Sequence, residues 1–196
     1  MPPNSRSQPE LNNHSMRDFI DFFSEQEQEE TRPPIIFCDM DGVIVDIIGG
    51  VSKILGRTDI TNQNFDSIMD LPMKARLDKE HPHLFAKLPW MKDGKELWKY
   101  ITKHKVEILS AHATTWQKNC SADKKTWINK NLKPEPHFSN ITRREFKKNH
   151  AVRHGVANIL IDDFKLNIAE WTAHGGIGIL HKNTADTIAA LKKLGL

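Results

Sequence analysis

Short apolar segments alternate with longer amphipathic segments along the chain from residue 35 onward. The apolar segments, each four or five residues long, cover 35–38, 106–110, 138–141, 158–161 and 176–180. Segments with helix-like patterns lie between and after them, near 93–104, 113–131, 145–154, 165–173 and 184–194. Alternation of strands and helices is typical of a parallel sheet covered by helices on both faces. We therefore predict an α/β fold with a three-layer, Rossmann-like parallel sheet.

Residues 47–92 interrupt this alternation. They are polar and helix-prone and are punctuated by Pro72, Pro82 and Pro89. The stretch is too long for a simple crossover connection between two strands. We predict a small helical cap that is inserted after the first strand and lies over the strand ends, with residues 35–46 and 93–196 forming the core.

Residues 1–34 are predicted to form an N-terminal tail. The first fifteen residues are polar and contain prolines, a composition typical of disorder. Ser15 could cap a short helix over residues 16–29 with an apolar face of phenylalanine and isoleucine side chains. The prolines that follow Arg32 would end that helix.

Composition narrows the classes of protein to consider. Of the 196 residues, 38% are hydrophobic and 27% are charged, which fits one domain with a small insert. The apolar runs are too short to span a membrane, and none follows basic residues at the N-terminus. Cys38 and Cys120 do not make a disulfide framework. We expect no membrane span, no secretory signal and a cytoplasmic location.

The net charge of +3 is unevenly distributed. Residues 1–30 contain two basic and seven acidic residues, whereas the remainder contains 26 basic and 18 acidic residues. A positive body suits an anionic substrate and would also suit nucleic acid. An ordinary solvated surface is the simpler interpretation.

The strongest chemical signal is the segment Asp39-Met40-Asp41-Gly42, which directly follows an apolar strand. Alternate residues of an extended strand share a face, so the carboxylates of Asp39 and Asp41 can point to one place. Two carboxylates this close repel each other unless a cation or a shared proton relieves them. Magnesium, which prefers oxygen ligands, is the natural cation. The alternative is an ordinary turn rich in Asp and Gly.

A second acidic pair, Asp162-Asp163, follows another apolar strand. Burying adjacent aspartates without partners is costly, so they need a structural reason. Taken alone, a helix N-cap explains them about as well as a metal does. Beside Asp39 and Asp41, a shared metal becomes the better explanation.

Two further segments could bind phosphate. Ser110 ends a strand, and its hydroxyl could hold a phosphate oxygen or cap the following helix. A basic stretch at 143–148 could supply a lysine that neutralises the phosphate and the nearby carboxylates. The alternative for this stretch is a solvated helix face.

These four segments, in this order, resemble the motifs of the haloacid dehalogenase superfamily over residues 35 to about 182. The resemblance implies a phosphatase in which Asp39 is the nucleophile and Asp41 protonates the leaving oxygen and then activates water. It implies Lys147 as the lysine of the third motif, with Lys148 as the alternative, and Ser110 and Ala111 as phosphate-binding residues. It also implies Mg²⁺ held by the Asp39 side chain, the Asp41 backbone carbonyl and an acid of the pair Asp162-Asp163.

A closer resemblance is to the 5′(3′)-deoxyribonucleotidases and their phage and bacterial relatives. It is carried by the first motif through Gly49-Gly50, by Cys120, Lys124 and Trp127, by Ile141-Thr142-Arg143, and by Asn167, Trp171 and Gly175-Gly176. It implies a nucleoside monophosphate substrate bordered by Lys124 and Arg143. The sequence departs from the family at Ile47, where an aromatic residue often packs against the base. Base stacking would then fall to Phe65, Phe85 or Trp90, unless these are plain core residues.

Other functions remain open at this point. The same chemistry could act on a polynucleotide 3′-phosphate, which the positive body favours slightly and the inserted cap disfavours, or on another small metabolite. A binding module without turnover is the other class of function, although it would have no need for all four aspartates. The oligomeric state, including a homodimer, is also left open.

Overall fold

The computed structural model describes residues 32–61, 63–113 and 115–196. The helix predicted over residues 16–29, and nearly all of the predicted tail, therefore lie outside the described residues. No helix in the described part of the chain is long and apolar enough to cross a membrane.

A parallel sheet of five strands forms the centre of the structure. In chain order the strands are β1 (Ile36–Cys38), β2 (Val106–Ala111), β3 (Phe138–Thr142), β6 (Ile159–Asp162) and β7 (Ile177–Leu180). Their order across the sheet is β3-β2-β1-β6-β7, and every neighbouring pair is parallel. Each coincides with one of the five predicted strands to within a residue or two, and the predicted α/β fold class is confirmed.

Helices and short 3₁₀ turns connect the strands. The α-helices are α1 (Ile47–Leu55), α2 (Phe65–Ile68), α3 (Leu71–Glu80), α4 (Gly94–Ile101), α5 (Cys120–Asn131), α6 (Lys165–Ala173) and α7 (Thr184–Lys193). The 3₁₀ segments are Phe85–Lys87 and Arg144–His150, and a small hairpin consists of β4 (Val152–Arg153) and β5 (Val156–Ala157).

The sheet separates two hydrophobic cores, because successive side chains of a strand point to opposite faces. Ile36 and Cys38 of β1 pack in the larger core with residues of α4, α5 and α7, including Leu97, Trp127 and Leu191. Phe37 packs in the smaller core with Trp171 of α6. Strand β1 is therefore apolar on both faces, and β2 and β6 beside it are mostly apolar, with Glu107, Ser110 and Asp162 as their buried polar residues. The molecule has the predicted three layers.

Two predicted helices differ from the structure. The segment at 145–154 forms the 3₁₀ helix Arg144–His150 followed by strand β4, because His154 and Gly155, with φ of 52° and 76°, form the tight turn of a hairpin. The helix predicted over 113–131 begins only at Cys120. Before it, the side chain of Gln117 donates to the carbonyl oxygens of Leu77 and His81, which holds this segment in a non-helical path.

The two ends of segment 47–92 lie side by side, just after β1. The amide of Asp46 donates to the carbonyl oxygen of Pro89 (2.9 Å), and the amide of Met91 donates to that of Ile44 (3.0 Å). Between these bonds lie helices α1, α2 and α3 and the 3₁₀ turn Phe85–Lys87. The indole nitrogen of Trp127 on α5 donates to the carbonyl oxygen of Leu88 (2.8 Å) and fixes the end of the excursion to the core.

Candidate active site

Three adjacent strands bring the acidic motifs together. Asp39 directly follows β1, Ser110 lies in β2, and Asp162 is the last residue of β6. Because β2 and β6 flank β1 and all three are parallel, their carboxyl ends meet at one edge of the sheet. The amide of Asp39 donates to the carbonyl oxygen of Ile161 (2.9 Å), so the two acidic motifs are joined through the backbone.

Asp39, Asp162 and Asp163 form the carboxylate cluster of the site. Each offers one carboxylate oxygen, and these oxygens all lie within 4.8 Å of one another. Oxygen ligands at this spacing suit a hard cation such as Mg²⁺. The donor set therefore fits the magnesium ion that the sequence predicts.

The pKa values show how strongly negative charge is concentrated here. Desolvation, followed by the charges of Asp39 and Asp162, raises the pKa of Asp163 to about 7. Burial and the charge of Asp39 also raise the pKa of Asp162. A bound cation would relieve this repulsion. The raised pKa values of Asp162 and Asp163 thus support the cation site that the spacing of the carboxylate oxygens indicates.

Gly42 allows the backbone to pass beside Asp163. A Cβ atom at Gly42 would lie 2.1 Å from Oδ2 of Asp163, and its φ of +74° is one that residues with a Cβ rarely adopt. Only glycine satisfies both conditions without moving Asp163. The glycine of the first acidic motif therefore shapes the carboxylate cluster directly.

Lys147 lies between the two buried aspartates. Its Nζ atom is 2.9 Å from Oδ2 of Asp39 and 2.7 Å from Oδ2 of Asp162, and the side chain is only 2% exposed. Burial disfavours its charge, but the two carboxylates outweigh burial and raise the pKa of Lys147. In turn, although burial acts against it, the charges of Lys147 and Lys124 lower the pKa of Asp39. Asp39 is thereby held as a carboxylate.

The other residues of the basic stretch lie elsewhere. Lys148 is half-buried. The hydrogen bond from Arg144, with a smaller contribution from the charge of Lys148, lowers the pKa of Glu170 on α6. Arg143 is exposed and precedes the 3₁₀ helix. Of the two lysines named from the sequence, Lys147 is thus the one that the structure places against the carboxylates.

Lys124 holds a second buried position, beside Asp41. Its Nζ atom donates to Oδ2 of Asp41 (2.6 Å), to the hydroxyl of Ser110 (2.9 Å) and to the carbonyl oxygen of Ala111 (2.7 Å). Burial raises the pKa of Asp41, although Lys124 opposes this effect. Oδ1 of Asp41 has no hydrogen-bond partner among the described residues. Ser110 lies within β2 and does not cap the following helix.

Asn167 supports the cluster from α6. Its amide nitrogen donates to Oδ2 of Asp162 (2.9 Å), and its amide oxygen accepts from Arg144 (3.3 Å). Arg144 also pairs with Glu170 at 2.9 Å. The sequence marks Asn167 only through family resemblance and gives no signal for the role of Arg144, because the contact depends on how α6 packs against the 3₁₀ helix.

A cavity of about 890 Å³ opens above the carboxylates. Its lining residues come from both motif loops, from the segment between residues 46 and 66, from Met91 and from the loop after β7; among them are Asp39, Asp41, Asp46, Ile47, Ile48, Phe65, Asp66, Asp163, Phe164, His181 and Lys182. Of the three aromatic residues named for base stacking, only Phe65 belongs to this lining. Phe85 is buried against Trp116, and Trp90 packs on Trp127 with ring centroids 4.9 Å apart. Phe164, which no sequence pattern singles out, also lines the cavity and has a half-exposed ring.

No protein-family model matches this chain, and no curated protein matches it. Among solved structures it is similar to a hydrolase from Streptococcus pneumoniae TIGR4, with 10% identity and a TM-score of 0.46 over 81% of this chain and 97% of that one. It is also similar to L-2-haloacid dehalogenase from Xanthobacter autotrophicus, with 7% identity and a TM-score of 0.47 over 75% and 76% of the two chains. A HAD family enzyme from Bacteroides thetaiotaomicron, in complex with magnesium and inorganic phosphate, is 16% identical with a TM-score of 0.45 over 77% and 95%. These values are too low to assign a family or an activity.

Proposed function

We propose that the chain is a magnesium-dependent phosphomonoesterase of the haloacid dehalogenase type, in which Asp39 takes up the phosphoryl group. The arrangement of residues around Asp39 supports this most strongly. Asp39 is held ionised beside the buried Lys147, it shares a cation-sized cluster with Asp162 and Asp163, and Asp41 lies two residues away. A carboxylate nucleophile with adjacent positive charge suits covalent phosphoryl transfer.

Magnesium would be held by Asp39, by Asp162 and Asp163, and by the backbone carbonyl of Asp41. When bound, it supplies positive charge that offsets the negative charge of the phosphate and of these carboxylates. Lys147 adds a fixed positive charge between Asp39 and Asp162. The nucleophile and the phosphate can therefore approach each other despite their like charges.

The chain's own residues account for both chemical steps. A carboxylate oxygen of Asp39 forms a bond to phosphorus while the bond to the leaving oxygen breaks, and Asp41 gives that oxygen its proton. Burial raises the pKa of Asp41, which favours the protonated form that this step needs. Asp41, now ionised, then accepts a proton from a water molecule whose oxygen attacks phosphorus. Inorganic phosphate leaves and the Asp39 carboxylate is restored.

We propose a nucleoside monophosphate, of the 5′(3′)-deoxyribonucleotide class, as the substrate. A cavity of about 890 Å³ lies within the range of small-molecule sites. Phe65, Ile47 and Phe164 give it an apolar part for a base above the acidic floor. We propose that Ser110, Ala111 and Lys124, which lie beside Asp41, bind the phosphate side and that Arg143 borders the substrate. Lys148, whose charge acts on Glu170, is not assigned to the phosphate. Residues 47–92 would act as the cap over this cavity.

We also propose a cytoplasmic location. Both cysteines are free and buried, which supports it.

Release of inorganic phosphate from a panel of 5′- and 3′-monophosphates, with magnesium and with chelator, tests this function. We expect magnesium-dependent release that Asp39→Asn abolishes. Asp59→Asn is the control, because Asp59 is an exposed acid that pairs with Arg57. Release that survives Asp39→Asn, or no release from any monophosphate, would overturn the proposal.

A further inference from the structure

A second cavity, of about 650 Å³, adjoins the first. The two share Met91, His181 and Lys182 in their linings. The second is completed by Lys92, Asp93, Lys95, Glu96 and Asn183, and it is called here the lysine groove. It extends the cavity above the carboxylates toward the starts of α4 and α7.

The lysine groove is built on the same frame as the active site. The amide of Met91 donates to the carbonyl oxygen of Ile44, two residues beyond Gly42. A Cβ atom at Gly94 would lie only 3.0 Å from the same carbonyl oxygen, so the start of α4 packs tightly on the motif loop. Asp93 joins α4 to α7, because its Oδ2 accepts from the amide of Thr184 (2.8 Å). The groove is therefore fixed relative to Asp39.

The charges of the two cavities differ. The first is lined by five aspartates and one lysine, as expected where a cation is to be held. The groove is lined by Lys92, Lys95 and Lys182 against two acids. One of these acids, Asp93, is engaged with Thr184, and Nζ of Lys95 is positioned 5.8 Å from the ring centre of Trp90. The three lysines are exposed, so their charges are available to an anion.

The sizes of the cavities also favour a substrate with an additional anionic group. The first cavity, of about 890 Å³, is near the upper end of the range of about 300–1,000 Å³ that is usual for sites of drug-sized ligands, so it can hold a nucleoside monophosphate by itself. A nucleoside monophosphate with its phosphate on Asp39 would leave the groove unfilled. A larger substrate would use it, provided that the additional part is anionic.

We propose that the lysine groove binds a second phosphate of the substrate. The preferred substrate would then be a nucleotide that carries a phosphomonoester for hydrolysis and another phosphate in the groove. Two sources share this chemistry: a nucleoside bisphosphate, and an oligonucleotide whose next phosphate is a diester. The inference rests on the proposed function, since it takes Asp39 as the site of hydrolysis.

The test compares kcat/KM for a deoxynucleoside 3′-monophosphate, the 3′,5′-bisphosphate and a dinucleotide with a terminal 3′-phosphate. We expect at least one of the two larger substrates to be preferred over the monophosphate; the one preferred identifies the source. The double variant Lys92→Ala/Lys95→Ala should reduce this preference about threefold to tenfold, through KM, as expected for two contacts between exposed charges. Lys99→Ala is the matched control, because Lys99 is an exposed lysine of α4 outside the groove lining. Added salt should weaken the preference.

Binding to the Asp39→Asn protein separates this inference from the proposed function. Calorimetric titration with the same three nucleotides measures the groove without turnover. Tighter binding of the bisphosphate or dinucleotide, lost in the Lys92→Ala/Lys95→Ala background, supports the groove even if phosphate release fails. Equal affinity for all three, or a loss caused equally by Lys99→Ala, would overturn the groove and leave the proposed function standing.

Discussion

Replacement of Lys147 by methionine should strongly destabilise the metal-free protein. The methionine nearly matches the lysine in length but leaves Asp39 and Asp162 without the ammonium group that lies 2.9 and 2.7 Å from them. Removing one partner from a buried ion pair typically costs about 3–5 kcal/mol. Asp39 keeps a bond from the amide of Met40, and Asp162 keeps bonds from Phe164 and Asn167. We therefore expect the lower end of that range, about 3 kcal/mol.

Urea unfolding in the presence of chelator, near neutral pH, measures this loss. In thermal unfolding of a domain of this size, the same loss of about 3 kcal/mol corresponds to a fall in Tm of about 6–12 °C. Magnesium should restore more stability to the variant than to the parent protein, because a cation replaces part of the missing charge. The matched control is Lys148→Met, at the neighbouring half-buried position, which should cost less than about 1 kcal/mol. The reasoning is refuted if Lys147→Met also costs less than about 1 kcal/mol, or if both lysine variants lose the same amount.

Three further predictions follow from the site. Gly42→Ala should lose activity and about 2–4 kcal/mol of stability, because its Cβ would meet Asp163 at a positive φ, whereas Gly56→Ala, also at positive φ but with open space around it, should lose only about 1–2 kcal/mol in denaturant unfolding. The pKa of Asp163, raised to about 7, means that the folded protein binds a proton that the unfolded chain has lost, so in chelator this residue should make stability fall as pH rises from about 4 to about 7. Asp163→Asn should flatten that dependence and weaken magnesium binding; a pH profile of stability unchanged by Asp163→Asn would contradict the raised pKa. Phe65→Ala should raise KM for nucleoside monophosphates about tenfold with little change in kcat, and an equal effect on inorganic phosphate binding would argue against stacking on the base.

The pattern of apolar segments was sufficient to predict the sheet and the meeting of the acidic motifs. Parallel strands place their carboxyl ends at one edge, so Asp39 and Asp162 could be brought together from the sequence once β1 and β6 were taken as strands of one sheet. The choice of Lys147 over Lys148 could not be made in the same way. It depends on the turn of a 3₁₀ helix that was predicted as an α-helix, and a difference in helix type changes which side chain faces the sheet.

Contacts between residues that are far apart in the chain also could not be predicted from the sequence. Lys124 meets Asp41 across 83 positions of the chain, and no local pattern indicates that its ammonium group would be buried between Asp41 and Ser110. The aromatic residues of segment 47–92 look alike in the sequence. Packing alone decides that Phe85 and Trp90 join other rings while Phe65 lines the cavity.

In the proposed mechanism, Asp39 is the residue that receives the phosphoryl group. The Asp41→Asn variant, given magnesium and an aryl phosphate, should form the acyl phosphate of Asp39 but hydrolyse it slowly, because a phenolate leaving group needs no proton whereas the attacking water needs a base. Acid quenching followed by peptide mass spectrometry should then find a phosphoryl group on Asp39. Release of the aryl alcohol with no phosphorylated Asp39, or with the phosphoryl group on another residue, would contradict the account.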